Sequence, residues 1–315
     1  MECRICQNSS GNLTYSVKEM MFGLRDEFTY FQCSVCNCLQ ILDLPANISK
    51  YYPENYYSFA GGIKKENFIK RFIRNKRNHY AVFNKGLIGK TLYKYFPDAT
   101  FRMLSGFLLN KSSAILDVGC GSGLLLNYLS HIGFTNLTGA DPFIANDINY
   151  EVVKVHKQSI HEIEGKWDLI MFHHSYEHIS DPLETLISVA SKLTENGQCL
   201  IRIPVGSGYA WETYRENWVQ LDAPRHFFLH TKESMEKLAA AAGLKIKDVI
   251  YDSNEFQFWG SEQYLKGIPL FDEKSYAVNP AASIFSNDEI NAFKQKAGIL
   301  NKEHRGDCCA FIISK

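Results

Sequence analysis

The chain has 315 residues; 34 Lys and Arg balance 34 Asp and Glu, and 45% of residues are hydrophobic. The length exceeds that of one ordinary domain, so two or three units are expected, and the composition excludes a disordered or collagen-like chain. Zero net charge argues against a general polyanion binder, and no apolar run of about 18 residues is present, so no transmembrane helix is expected.

Residues 1–45 hold five of the nine cysteines. The start, Met1-Glu2-Cys3-Arg4-Ile5-Cys6, has no apolar signal-peptide core, which points to the cytosol. Cysteines there are read as thiols or metal ligands rather than disulfides. Cys3-x-x-Cys6 and Cys33-x-x-Cys36, separated by 26 residues, have the spacing of two zinc knuckles. Four thiolates close a tetrahedral site and leave no open position, so the expected Zn2+ is structural. Cys38 is a spare that could stand in for Cys36, and free thiols are the alternative. So short a segment lacks the residues for a convincing core, which favours a metal staple.

Residues 46–110 read as a helical connector or cap. Tyr51-Tyr52-Pro53 and Tyr56-Tyr57-x-Phe59 could fold over an active-site mouth or merely pack. Residues 64–94 then hold ten Lys or Arg and a single acid, Glu66. Phe68, Ile69, Phe72 and Ile73 recur at helical spacing among Lys70, Arg71, Arg74 and Arg77, which predicts an amphipathic helix with a cationic face. Three roles fit it: a solvated face whose apolar side packs on a sheet, contact with a phosphorylated substrate or an anionic membrane surface, or contact with RNA. The neutral overall charge weighs against RNA.

Residues 111–252 alternate strand and helix patterns, the signature of a doubly wound parallel α/β sheet. Strands are expected at 114–118, 136–140, 151–155, 167–172, 199–203 and 245–251. Asp181-Pro182 opens a helix expected to stop near Glu195-Asn196-Gly197. Thr231 caps another that runs to Ala242 and closes at Gly243. Residues 253–315 form an extension ending in a strand over Cys309–Ile313. Cys120, Cys199, Cys308 and Cys309 lie in or beside apolar strands and read as buried thiols.

The chemistry-bearing signal is Asp117-x-Gly119-Cys120-Gly121-x-Gly123 at the carboxyl end of the first of these strands. Ligands bind at that end of open α/β sheets, and glycines allow close backbone approach. The third glycine comes one place too early for a dinucleotide fingerprint. Asp141, one strand later and followed by Pro142, is placed to accept bonds from both hydroxyls of a ribose.

Ile115–Gly123 resembles the first motif of class I S-adenosylmethionine-dependent methyltransferases, and Asp141 matches the acid ending their second strand. Trp167–Ile170, His174–Pro182, Asn217-Trp218, Leu221–His226 and Ala242-Gly243 continue the likeness in order across residues 112–252. The resemblance implies a Rossmann-like sheet of seven strands with the last antiparallel. It places the methionine end of the cofactor on Asp117, Gly119, Cys120, Gly121 and Gly123, the ribose on Asp141, and adenine near Ser159 and Ile160. His173, next to a strand end, would touch the methionine part through its backbone.

With its four-cysteine module, the chain resembles bacterial deoxysugar C-methyltransferases and, less closely, ribosomal RNA methyltransferases with a zinc finger. The first likeness implies a nucleotide- or lipid-linked sugar acceptor in glycan biosynthesis, and the second an RNA. A catalytically silent binding module is the third reading. Methyl transfer often needs a base, and neutral His suits that task near pH 7. His173, His174, His178, His226 and His230 are candidates. In the sugar enzymes a Glu-His segment supplies the base; His226 stands in that place here, with Arg225 for the Glu. Arg225 could serve a substrate phosphate or carboxylate. The resemblance implies that Glu177 and His178 belong to a structural motif of the methyltransferase family, with direct catalysis by either as the alternative, and Tyr209, Trp211, Tyr214 and Trp218 could stack on an acceptor or form a packed lid.

Overall fold

The computed structural model describes residues 1–53 and 66–315; Tyr56, Tyr57, Phe59, Lys64 and Lys65 lie outside the described residues. In chain order the strands are β1 (Leu13–Lys18), β2 (Glu27–Gln32), β3 (Leu39–Ile41), β4 (Ile115–Val118), β5 (Leu137–Ala140), β6 (Ile148–Asn149), β7 (Val153–His156), β8 (Trp167–His173), β9 (Leu193–Pro204), β10 (Phe228–Leu229), β11 (Lys245–Tyr251) and β12 (Cys308–Ser314). The helices are α1 (Phe68–Phe83), α2 (Leu87–Tyr95), α3 (Ala99–Met103), α4 (Leu124–Ser130), α5 (Pro182–Lys192), α6 (Tyr209–Tyr214), α7 (Lys232–Ala241), α8 (Phe256–Leu265) and α9 (Asn287–Lys302).

The chain forms two compact units. One comprises Met1–Pro53, His174–Leu186 and Ile201–Ile313; the other is built from the described part of Glu54–His173, Ile187–Leu200 and the last two residues.

In the second unit β4 pairs in parallel with β5 and β8, and β5 with β7. Val118 stands opposite Ala140 and Phe172, and Ala140 opposite His156. This register brings the residues that follow those strands, Gly119, Asp141 and Lys157, to one edge. All four residues of β4 are buried, as expected where helices cover both faces of a parallel sheet. The full strand order is β11-β12-β9-β8-β4-β5-β7-β6, eight strands rather than seven. The additional member is the two-residue β6, antiparallel to β7. The helix opened by Pro182 ends at Lys192, short of Glu195-Asn196-Gly197, because β9 starts at Leu193 and runs for 12 residues.

The other unit has its own four-stranded sheet, β1-β2-β3-β10, antiparallel throughout. The fourth strand comes from far along the chain: Phe228 pairs with Gln40 and Leu229 with Leu39. Tyr30, Leu39, Ile41, Trp211, Trp218, Leu229 and Phe258 form its core. Thr231 caps α7 through a reciprocal capping box with Ser234, and Gly243 follows with a left-handed φ of 72°.

α1 departs from expectation in its orientation. The helix forms where the pattern predicts, yet its buried residues are Asn78, Ala81 and Val82, while Phe68, Ile69, Phe72 and Ile73 are exposed. The apolar side of its first turns faces outward instead of packing on a sheet.

Candidate active site

The glycine loop follows β4. Gly119, Gly121 and Gly123 all adopt left-handed φ, between 53° and 75°, which a side-chain-bearing residue takes only with strain. At Gly123 a Cβ would also meet Val155 Cγ2 at 2.7 Å. The loop is fixed from outside by Gly119 N donating to Ala140 O (2.8 Å) and by the Tyr150 hydroxyl donating to Ser122 O (3.0 Å). The sequence does not mark Tyr150, since a tyrosine in a loop carries no periodic signal.

Asp141 is buried and shaped by the same loop. One oxygen accepts from Gly121 N at 2.8 Å and the other from Phe143 N at 2.9 Å. Each oxygen keeps a second lone pair, so the oriented carboxylate fits a vicinal diol. Asp117 is buried too, and burial, with Asp141 adding to it, pushes its carboxyl up to about 8. An acid held neutral in this way gains from a cationic ligand. S-adenosylmethionine carries an ammonium and a sulfonium, so these residues fit that cofactor. Cys120 lies in the loop, and its Sγ stands 2.5 Å from where a Cβ on Gly139 would be. Pro142 is exposed, and His173 is the last residue of β8. Ser159 is already engaged: its N–H and hydroxyl both donate to Glu162 at 2.8 Å, while Ile160 beside it is buried.

The first unit holds a second cluster, around His226. The ring Nδ1–H donates to Gln220 O at 2.7 Å, which leaves the lone pair on Nε2. Nε2 lies 3.9 Å from Glu177 Oε1 and 3.8 Å from Asp222 Oδ2, close but not hydrogen-bonded. Burial, reinforced by His178, pulls the imidazole down to about 4. Glu177 is fully buried, and neither of its oxygens accepts a hydrogen bond among the described residues. Burial pushes its carboxyl up, but His174 (Nδ1 at 3.6 Å), His178 and His226 outweigh this and hold it at about 2. His178 is oriented like His226, its Nδ1–H donating to Arg225 O at 2.8 Å. The result is a neutral imidazole with an unused lone pair beside two carboxylates. It can accept a proton, and Glu177 and Asp222 would stabilise the imidazolium. Glu177, His178 and His226 also bring ligand atoms within 4.8 Å of one another.

Arg225 does not offer a free cation to a substrate, contrary to the sequence expectation. It is wholly buried, with Nε donating to both oxygens of Asp222 (3.1 and 3.0 Å), Nη2 to Glu19 Oε1 (3.0 Å) and Nη1 to Tyr51 O (3.2 Å). Glu19 is fully buried and completes its bonding with the N–H groups of Phe22 and Leu24. Nothing in the sequence pairs Glu19 with Arg225, 206 residues away. The backbone around this cluster is unusual: His174 and Asp222 have φ of 52° and 38°, and Ala223–Pro224 is cis. The stacking residues proposed from the sequence are also committed elsewhere. Trp211, Tyr214 and Trp218 are buried in the core, and Trp218 Nε1 donates to Asp307 at 3.0 Å.

The sulfurs of Cys3, Cys6, Cys33 and Cys36 lie within 4.8 Å of one another, with Cys3–Cys36 at 3.6 Å and Cys6–Cys33 at 3.5 Å. Backbone N–H groups of Ile5 and Val35 and the Gln40 amide point at Cys3 and Cys33 sulfurs. Such donors favour thiolates, and the four-sulfur set fits a tetrahedral zinc site. Cys38 is not in the group; it is buried 3.9 Å from His230 Nδ1.

Replacing Arg225 by Met should leave Glu19 and Asp222 buried without their cation and lower stability by about 3–5 kcal/mol in urea titrations. Adding Glu19→Gln to that variant should recover part of the loss.

The model of a family described as a methyltransferase domain matches residues 91–249, half of the chain. A ubiquinone biosynthesis O-methyltransferase from Brucella anthropi is 24% identical over a match that covers 42% of this chain. The chain spans about 60% of the length of that relative. Among solved structures, an S-adenosylmethionine-dependent methyltransferase from Mesorhizobium loti is 13% identical, covering 70% of this chain and 99% of its own, with a TM-score of 0.44. A cyclopropane synthase from Mycobacterium tuberculosis, also 13% identical, covers 79% and 99%, again with a TM-score of 0.44. The glycine loop, the buried acid one strand later and the family match over half the chain agree: the protein belongs to the methyltransferase-domain family, with the α/β sheet of the class I S-adenosylmethionine-dependent enzymes.

Proposed function

We propose that this methyltransferase transfers a methyl group to a small acceptor with His226 as general base, and that the acceptor is a nucleotide- or lipid-linked sugar. The observation that carries the first part is the His226 ring, pinned through Nδ1–H to Gln220 O with Nε2 left unprotonated beside Glu177. The carbohydrate acceptor is supported only by the motif order and the four-cysteine module, which resemble the sugar methyltransferases.

Asp117, Gly119, Gly121 and Gly123 would hold the methionine end of S-adenosylmethionine, Asp141 its ribose diol, and the segment of Ser159 and Ile160 its adenine. Bound there, the cofactor supplies an electrophilic methyl carbon. Asp117 would lose its proton to pair with the cationic end. His226 Nε2 would take the acceptor's proton, and Glu177 and Asp222, both low-pKa acids, would stabilise the resulting charge. A structural zinc on Cys3, Cys6, Cys33 and Cys36 would hold the N-terminal segment in shape. The match to a named O-methyltransferase favours a second reading of the acceptor, a phenolic hydroxyl, for which the same base serves.

Cofactor binding should be pH-dependent in a defined sense. Free Asp117 is largely protonated below about 8, and a cationic ligand selects its ionised form. Calorimetric affinity for S-adenosylmethionine should therefore rise roughly tenfold between about pH 6 and pH 7, and the rise should vanish in Asp117→Asn. Asp141→Ala should weaken binding by at least about tenfold.

His226→Ala should lower turnover of sugar-nucleotide or phenolic acceptors by about 10²–10⁴ while cofactor affinity stays within about twofold. Because burial holds the imidazole near 4, kcat should stay level from neutral pH down to about 5, without a step near 6.5. Unchanged turnover in the variant would remove His226 from the mechanism. Activity lost to a chelator and restored by a divalent ion, with the cysteine zinc retained, would instead make Glu177, His178 and His226 a metal site.

A further inference from the structure

The helical segment before the α/β sheet presents a surface to which none of the site residues described above belongs. On α1, Phe68 and Phe72, and Ile69 and Ile73, are one turn apart on the solvent side; Phe68 is 70% exposed and Ile69 65%. The start of α2 adds Leu87, 85% exposed, and Ile88. Phe68, Phe72, Leu87 and Ile88, together with Ile132, border a groove of about 910 Å³ that is rimmed by Arg71, Lys76 and Lys85; Ile69 and Ile73 extend the exposed apolar face beside it. α2 lies close to α1 here: a Cβ on Gly89 would collide with the Lys76 carbonyl oxygen. The groove is therefore set by backbone packing rather than by a loose side chain.

The cations and the apolar groups are interleaved. The Arg71 guanidinium lies 5.9 Å from the Phe68 ring centre, and Lys76 Nζ 5.4 Å from that of Phe72. The charged heads of Arg71 and Lys76 thus lie beside exposed rings, and both residues are exposed, so cationic and apolar groups share one surface, as at a lipid interface. Arg74 and Arg77 are held by Glu66 and Asp98, whereas Lys70, Arg71, Lys76 and Lys85 have no carboxylate partner among the described residues.

We propose that this face docks on an anionic lipid bilayer, with Phe68, Ile69, Phe72, Ile73, Leu87 and Ile88 entering the headgroup–acyl boundary and Lys70, Arg71, Lys76 and Lys85 pairing with acidic headgroups. Charge complementarity selects this occupant. A second copy of the chain would set these cations against their own counterparts. RNA would leave the aliphatic Ile69, Ile73, Leu87 and Ile88 without bases to stack on them. A single small anion would leave the apolar groups in water. An amphipathic surface with free cations is what an acidic membrane binds. The inference stands independently of the acceptor and of His226.

The test is co-flotation of the full chain with vesicles of phosphatidylcholine alone or phosphatidylcholine mixed with phosphatidylglycerol. Partitioning should be at least about tenfold stronger on the mixed vesicles and should weaken with added salt. Lys70→Gln, Arg71→Gln and Lys76→Gln combined should abolish that preference. Phe68→Ser with Phe72→Ser should release the protein from both vesicles, with far-UV circular dichroism and S-adenosylmethionine affinity unchanged. Equal partitioning on the two vesicles, or none, would overturn the proposal. So would RNA binding, or concentration-dependent dimerisation, that the Phe variants abolish while vesicle binding is absent.

Discussion

The buried guanidinium of Arg225 is the constraint on which the region around His226 depends. Removing a cation from water is costly, and the cost is offset only when its donors are met with good geometry. Here Asp222 takes Nε, Glu19 and Asp222 share Nη2, and the Tyr51 carbonyl takes Nη1. These partners come from the N-terminal segment and from the loop of Arg225 itself. The next residue is His226, and the carbonyl of Arg225 accepts from His178. One ion cluster thus ties the N-terminal segment, the 222–226 turn and the segment after β8 into one body.

The same body contains the cysteine cluster. β10, which follows His226 by one residue, is the fourth strand of the sheet that the cysteine-bearing segment builds. The Tyr30 hydroxyl donates to the His226 carbonyl at 2.8 Å, Ile41 N to Phe227 O, and the Thr231 hydroxyl to the Cys36 carbonyl at 2.6 Å. Phe227 N in turn donates to the Glu177 carbonyl at 2.8 Å. The N-terminal module is therefore part of the scaffold that orients His226 and Glu177.

Much of the α/β sheet was legible because its signals are local. Short apolar runs, Asp141-Pro142, the Thr231 cap and Gly243 each state their role within a few residues. The glycine loop was legible for the same reason. What was not legible is long-range. No pattern within 222–230 says that Phe228 and Leu229 will pair with residues near 40, or that Arg225 will be neutralised by Glu19. An arginine in a loop reads as a free cation until its partners are known. Glu177 was legible as a motif residue but not as a buried carboxylate facing His226, since that depends on how the 174–178 and 222–226 segments pack. The spacing of Phe68, Ile69, Phe72 and Ile73 marks α1 as amphipathic, but helical periodicity gives a face without saying whether a neighbour covers it.

The N-terminal sheet, whose four cysteines are placed to hold a zinc, holds the His226 segment in place. Hydrogen–deuterium exchange on the protein as purified, with zinc counted by metal analysis, and again after chelation, tests it most directly. One zinc per chain is expected. On its removal, amides of 225–231 should lose protection together with those of β2 and β3, while amides of β4 and β5 keep theirs. Protection of 225–231 that survives complete loss of the metal would contradict it.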